Sequence, residues 1–294
     1  MPTILDGKLI RDQLNAESKP RVDALRAAHR APGLAVVLVG HDPASEIYVR
    51  NKVKTCGELG IFGEEHKPPA SATTDELIAL VQSLNARPEI DGILVQMPLP
   101  SHVDSGRVLM AVAPDKDVDG FHPVNVGLLS TGRPGLRPCT PSGVIELLKR
   151  YKIPIAGRNA VVVGRSDIVG KPMAMLLLHE NATVTICHSK TADLVAECRR
   201  ADILVAAIGR AAFLTREHIA PGAAVIDVGM NRITKEQSDV LGLGGKTLLG
   251  DVHPLHMVEA AGAYTPVPGG VGPLTIAMLM RNTIQSAERR LGLC

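Results

Sequence analysis

The 294-residue chain has no tryptophan, three tyrosines and three phenylalanines, which removes the stacking platforms on which single-stranded nucleic acid binders depend. A dominant sign of charge is lacking too. Lys and Arg total 32 against 30 Asp and Glu, spread along the chain with no basic stripe, so no nucleic acid partner is expected. No apolar run reaches the roughly 18 residues that a membrane span needs, so no membrane is expected either. The N-terminal MPTILDGKLIRDQL has no apolar block before a small-residue cleavage site. It reads as mature sequence, and the cytoplasm is the expected compartment. The five cysteines (Cys56, Cys139, Cys187, Cys198 and Cys294) are scattered without a C-x-x-C pair, which points to reduced thiols.

What is present is a hydrophobic fraction of 45% arranged in short Val- and Ile-rich runs: Leu34–Val39, Ile90–Gln96, Ala160–Gly164, Thr183–Cys187, Asp202–Gly209 and Ala223–Gly229. Such runs suit strands buried on both faces of a parallel sheet. Amphipathic stretches at Asp42–Leu59, Thr74–Ala86, Pro141–Tyr151, Gly170–His179 and Pro273–Leu291 fill the gaps and predict helices. The class is therefore α/β, and the length suits two domains. The first is expected over 1–120 and is completed by a returning C-terminal helix at 271–294. The second, over 121–270, holds closely spaced strands from Ala160 to Gly229 and reads as a Rossmann-like, doubly wound nucleotide domain.

The motif GRSDIVGKP (Gly164–Pro172) turns a strand into a helix, whose free N–H groups and dipole suit an anion such as a pyrophosphate. It departs from G-x-G-x-x-G by placing Ser166 at the second position and Gly170 last, and an ordinary structural turn is the alternative. The next strand ends Cys187-His188-Ser189-Lys190, where an NAD site usually carries an acid. Arg165, Ser189 and Lys190 are donors suited to the 2′-phosphate of NADP; a solvated strand end is the other reading. On the helix around Lys52, the residues Ser45, Tyr48, Lys52, Cys56 and Leu59 share a narrow arc, while Glu46, Arg50 and Lys54 lie elsewhere. Lys52 is thus poorly solvated with a lowered pKa, or it snorkels to water along an apolar stripe.

Three lookalikes fail. Asp115-Lys116-Asp117-Val118-Asp119-Gly120 copies half a calcium loop, but its twelfth position is Val126 instead of Glu. Gly245-Lys246-Thr247 lacks the first glycine of a phosphate loop, which is Val240 here. His253 and His256 have no third ligand nearby, so no metal is expected.

Taken together, Tyr48-Val49-Arg50-Asn51-Lys52, DGILVQMPLP (Asp91–Pro100), PDKDVDGFHPVNVG (Pro114–Gly127), RPCTP (Arg137–Pro141), GRSDIVGKP and TPVPGGVGP closely resemble the bifunctional methylenetetrahydrofolate dehydrogenase/cyclohydrolase family over nearly the whole chain. The resemblance implies oxidation of methylenetetrahydrofolate with NADP, hydrolysis to 10-formyltetrahydrofolate, and a homodimer. It implies Lys52 as the catalytic lysine, Tyr48 beside it in the folate pocket, Gln96 in contact with Lys52, and Asp119 on the pterin ring. It sets Gly164, Arg165, Ser166, Ser189 and Met230 at the cofactor; Met230 stands where the family often has Ile. Pro268, Gly269 and Gly270 would let backbone approach substrate and nicotinamide closely. A dehydrogenase without cyclohydrolase activity and a non-catalytic dinucleotide sensor are the alternatives.

Overall fold

The computed structural model describes Met1–Leu293, with Pro43 and Ala44 described by backbone alone; Cys294 lies outside the described residues. In chain order the elements are β1 (Thr3–Ile4), α1 (Gly7–Ala28), β2 (Gly33–Val37), α2 (Pro43–Leu59), β3 (Phe62–His66), α3 (Thr74–Ala86), β4 (Gly92–Val95), α4 (Ser105–Ala111), α5 (Pro123–Ser130), α6 (Cys139–Arg150), β5 (Asn159–Val163), α7 (Gly170–His179), β6 (Thr183–Cys187), α8 (Leu194–Cys198), β7 (Ile203–Ala206), β8 (Ala224–Asp227), β9 (Asn231–Arg232), α9 (Lys235–Val240), β10 (Leu248–Leu249), α10 (Pro254–Ala260), β11 (Ala263–Tyr264) and α11 (Val271–Arg290). Among the described residues no helix is long and apolar enough to cross a membrane.

The chain divides into two compact units. One comprises Met1–Arg11 and Thr140–Thr275, the other Asp12–Cys139 and the residues from Ile276 onward. Relative to the boundaries read from sequence, this grouping sets the Pro- and Gly-rich segment 121–139 with the unit that holds Lys52. Its ties are local. Asn125 Nδ2 donates to Asp117 Oδ2 at 2.8 Å and to the Pro114 carbonyl at 2.8 Å, and Cys139 Sγ donates to the Val118 carbonyl at 3.2 Å. The N-terminal β1 goes the other way, because it pairs in parallel with β11.

In the unit that begins at Asp12, the parallel sheet runs β3-β2-β4. Strands β2 and β4 are buried along their whole length, and Val37, Ile93 and Val95 pack there with Leu77, Val81 and Leu84 of α3. Each such side chain contributes roughly 1.5–3 kcal/mol by leaving water. The polar strand β3 (FGEEH) sits at the sheet edge, where it needs one buried face at most. The last helix belongs here from Ile276 on. Arg290 reaches the fully buried Asp91 at 2.8 Å, and Arg30 grips the same carboxylate at 2.6 and 2.7 Å.

In the other unit six strands form one parallel sheet in the order β6-β5-β7-β8-β11-β1. Counted from β5, the order is 2-1-3-4-5 with β1 added at the edge, a doubly wound arrangement. The switch point falls between β5 and β7, and its ligand crevice lies outside their carboxyl ends.

Candidate active site

Helix α2 starts at the N-cap Asp42, whose carboxylate accepts from Ser45 N at 2.8 Å, and stops at Gly60 in the left-handed region (φ 84°). Its buried stripe is Ser45, Val49, Lys52, Cys56 and Leu59, with Tyr48 half-buried one turn before Lys52. Lys52 is 7% exposed, so it does not snorkel. Its Nζ donates to Gln96 Oε1 at 2.9 Å, and Gln96 Nε2 donates to the Met97 carbonyl at 2.8 Å, which fixes the amide orientation. Gln96 follows β4 directly, and its N–H continues the ladder to the Val37 carbonyl at 2.9 Å. Burial lowers the Lys52 pKa from the ordinary lysine range, against the opposing pull of the nearby Asp119 carboxylate and Cys139.

Asp119 follows residues anchored through side chain or backbone. Lys116 Nζ donates to the carbonyls of Leu84, Asn85 and Arg87 at 3.2, 2.7 and 2.7 Å. These carbonyls lie at the end of α3, where the regular helical ladder runs out; burial brings the Lys116 pKa down to about 8. Asp117 accepts from His122 N and Asn125 Nδ2, each at 2.8 Å. The Val118 carbonyl accepts from Asn282 Nδ2 at 2.7 Å. Gly120 (φ 72°) must be glycine, since a Cβ would meet the Arg137–Pro138 peptide at 2.6 Å. What remains for Asp119 is to face the lysine: burial pushes its pKa up to about 6, Lys52 pulls it down and Asp117 pushes it further up. The Cys139 thiol, buried beside Asp119, is held well above its usual range and is no nucleophile at neutral pH. The sequence reading passed over Lys116 and Asn282 because their partners are backbone carbonyls distant in the chain.

The other unit carries the cofactor candidates. Gly164 (φ 133°) closes β5, and a Cβ there would lie 2.1 Å from the Ala207 carbonyl oxygen. Gly170 lets α7 approach the turn, where a Cβ would lie 2.3 Å from the Gly164 oxygen. Ser166 Oγ accepts from Val169 N and Gly170 N at 3.2 Å each, so this hydroxyl caps the turn into α7. Arg165 and Ser189 are exposed at the carboxyl ends of β5 and β6. Met230 is 42% exposed after β8. Its methyl carbon is 3.3 Å from where a Cβ on Gly272 would sit. Pro268, Gly269 and Gly270 form the turn between β11 and α11, pinned by Gly7 N to the Gly269 carbonyl at 3.0 Å and by Gly270 N to the Pro266 carbonyl at 2.8 Å. The structure therefore groups Lys52, Gln96, Asp119 and Tyr48 in one unit, and sets the cofactor candidates and the Pro268–Gly270 turn in the other. His253 and His256 stack on each other at 4.0 Å between ring centroids, and the described residues contain no group of three or more His, Cys, Asp or Glu suited to a metal ion.

A doubly wound sheet with a glycine turn at its switch point, in a chain whose other unit buries a lysine against a glutamine and a carboxylate, defines a nucleotide-using α/β enzyme. Profiles of the tetrahydrofolate dehydrogenase/cyclohydrolase catalytic domain and of the corresponding NAD(P)-binding domain match residues 5–119 and 138–291. A bifunctional FolD protein of Solibacter usitatus is 64% identical with both chains covered in full, and that of Koribacter versatilis is 59% identical with 99% of each covered. The FolD structure from Campylobacter jejuni superposes with a TM-score of 0.92 at 43% identity, over 99% of this chain and 100% of that one. The Trypanosoma brucei dehydrogenase-cyclohydrolase complexed with NADP and an inhibitor gives 0.92 at 38% identity, over 99% and 98%. The chain belongs to the tetrahydrofolate dehydrogenase/cyclohydrolase family, and its chemistry is one-carbon folate interconversion.

Proposed function

We propose that the chain oxidises methylenetetrahydrofolate with NADP and hydrolyses the methenyl product to 10-formyltetrahydrofolate, with Lys52 as its proton carrier. The observation that supports this most is the buried Lys52 amine held 2.9 Å from a neutral glutamine oxygen. A partner without charge orients the amine and leaves it able to lose its proton, which a carboxylate at that distance would oppose.

NADP, when bound, supplies the hydride acceptor. The Gly164 turn leads into the N-terminus of α7, whose N–H groups and dipole suit a pyrophosphate, and Ser166 shapes that turn; no acid stands at the end of β6 to oppose a 2′-phosphate, for which Arg165 and Ser189 are donors. Met230 approaches the cofactor through its backbone. The cofactor of the Trypanosoma brucei relative supports the choice of NADP.

Loss of hydride from the methylene carbon leaves a cation shared by two folate nitrogens, so that step asks for alignment and for no base. Hydrolysis does need one. As water adds to the methenyl carbon, neutral Lys52 takes one of its protons; as the bond from that carbon to N5 breaks, the remaining hydroxyl proton passes to N5, the C=O of the formyl group forms on N10, and Lys52 returns its proton to solvent. A charged Lys52 would repel the cation and could accept nothing. Asp119 accepts from the amino and ring N–H groups of the pterin, Tyr48 lines the pocket, and the backbone from Pro268 to Gly270 admits substrate and nicotinamide closely. A cytoplasmic homodimer is part of the same proposal.

The test is to mix protein, methylenetetrahydrofolate and NADP and to follow NADPH and the folate products. Formyl product in step with NADPH is expected. Methenyl product alone would mark a monofunctional dehydrogenase, and NADP binding without NADPH would mark a sensor.

A further inference from the structure

Two buried carboxylates in the unit of six strands play no part in the chemistry above. Asp227 ends β8 and is 1% exposed; Asp251 follows β10 and is fully buried. They are interlocked through the glycines beside them. A Cβ on Gly229 would lie 2.3 Å from Asp251 Oδ1, and one on Gly250 would lie 1.9 Å from Asp227 Oδ2. Asp227 accepts from Gly229 N at 3.0 Å, Asp251 N at 2.8 Å and Val252 N at 2.9 Å, which ties the β8 end to the 250–252 segment.

Asp251 looks in a different direction. Its Oδ2 accepts from Ile208 N at 2.6 Å and Gly209 N at 3.0 Å, while Oδ1 accepts from Arg210 N at 2.9 Å and Asn231 Nδ2 at 2.9 Å. Successive N–H groups of the turn after β7 are thus gathered onto one carboxylate, so the peptide carbonyls between them face away from it. That turn follows Ala207, whose carbonyl lies against Gly164. It flanks the same switch-point crevice.

We propose that Asp251 is a positioning residue for the dinucleotide, holding the backbone of Ile208 to Arg210 in the shape that receives it. The inference rests on the reading that this unit binds NADP. Surface turns of this length sample many conformations, and a buried carboxylate that accepts every N–H in one of them selects that conformation before the ligand arrives. The turn then offers carbonyl acceptors to hydroxyl or amide donors of the dinucleotide.

The experiment compares Asp251→Asn with the wild type in two readouts: NADP affinity by titration calorimetry, and hydrolysis of preformed methenyltetrahydrofolate without NADP. Asparagine keeps the size but turns one acceptor into a donor facing donors. NADP should bind at least about tenfold more weakly, the scale of a lost charge-assisted hydrogen bond, with hydrolysis unchanged. Gly209→Val provides a second probe, since Gly209 lies at φ 72° with open space around it, so the substitution strains the turn without touching the core. It should weaken NADP binding in the same way. Wild-type NADP affinity in either variant overturns the inference, and so does parallel loss of NADP binding and hydrolysis. If the wild type itself does not bind NADP, the cofactor reading fails first and the inference falls with it.

Discussion

Lys52 and Arg165, the two cations on which the proposed function leans most, are held in opposite ways. Lys52 is 7% exposed and bonded to the neutral Gln96, and burial lowers its pKa against the upward pull of Asp119. Arg165 stands in solvent on a turn whose backbone is fixed by Gly164 and Gly170. A group that must change its protonation state needs an environment that penalises its charge, and water would cancel that penalty. A group that must meet a phosphate needs its charge kept and its approach open; there precision comes from the backbone beneath it. The catalytic unit therefore invests its order in side chains, and the nucleotide unit invests it in main chain.

The largest expected effect breaks the first half of that comparison. Lys52→Met keeps length and apolar contact while removing the amine, so folding should hold. Cyclohydrolase activity should fall about a hundredfold or more, the usual scale for a lost proton carrier. Hydride transfer should suffer less, and quantifying the folate products over time should reveal methenyl accumulation.

Asp119→Asn is expected to raise KM for folate in both reactions by about tenfold or more, since a charge-assisted pair is lost, while calorimetry shows NADP affinity unchanged. Its pH signature is distinctive. With the folded pKa raised to about 6, folding favours the protonated form. The stability this contributes is present in full below about pH 4, the unfolded value, and is lost as pH rises through about 6. Folate affinity runs the other way, growing as the carboxylate forms. In the wild type, the melting temperature and KM measured between these limits should both fall as pH rises, and Asp119→Asn should flatten both.

The smallest effect belongs to the exposed cation. Arg165→Ala should reduce the ratio of kcat/KM for NADP over NAD by about tenfold and leave the melting temperature unmoved, because no packing is lost. A large drop in stability would show that Arg165 resembles Lys52 after all.

The same contrast governs what could be read in the sequence. The fully buried strands β2, β4, β7 and β8, and β5 beyond its exposed Asn159, announced themselves as Val and Ile runs, and α2, α3, α6, α7 and α11 lie within a few residues of their expected spans. Strand β3 did not, because an edge strand tolerates Glu64, which pairs with Arg87 and His66. Helix α1 was hidden by Pro20 inside it. The stripe of α2 displayed Lys52 directly, whereas the roles of Asp227, Asp251 and Lys116 depend on backbone groups that sequence periodicity does not place.

The central claim is that burial makes the Lys52 amine available as a base, and the most direct measurement is its own titration. With lysine labelled at the side-chain nitrogen and Lys52→Met used to assign the signal, the Lys52 resonance should titrate with a midpoint clearly below the ordinary value of about 10.4. A midpoint at that ordinary value would contradict the account, because Lys52 would then remain an ammonium at neutral pH and another group would have to take the proton from water.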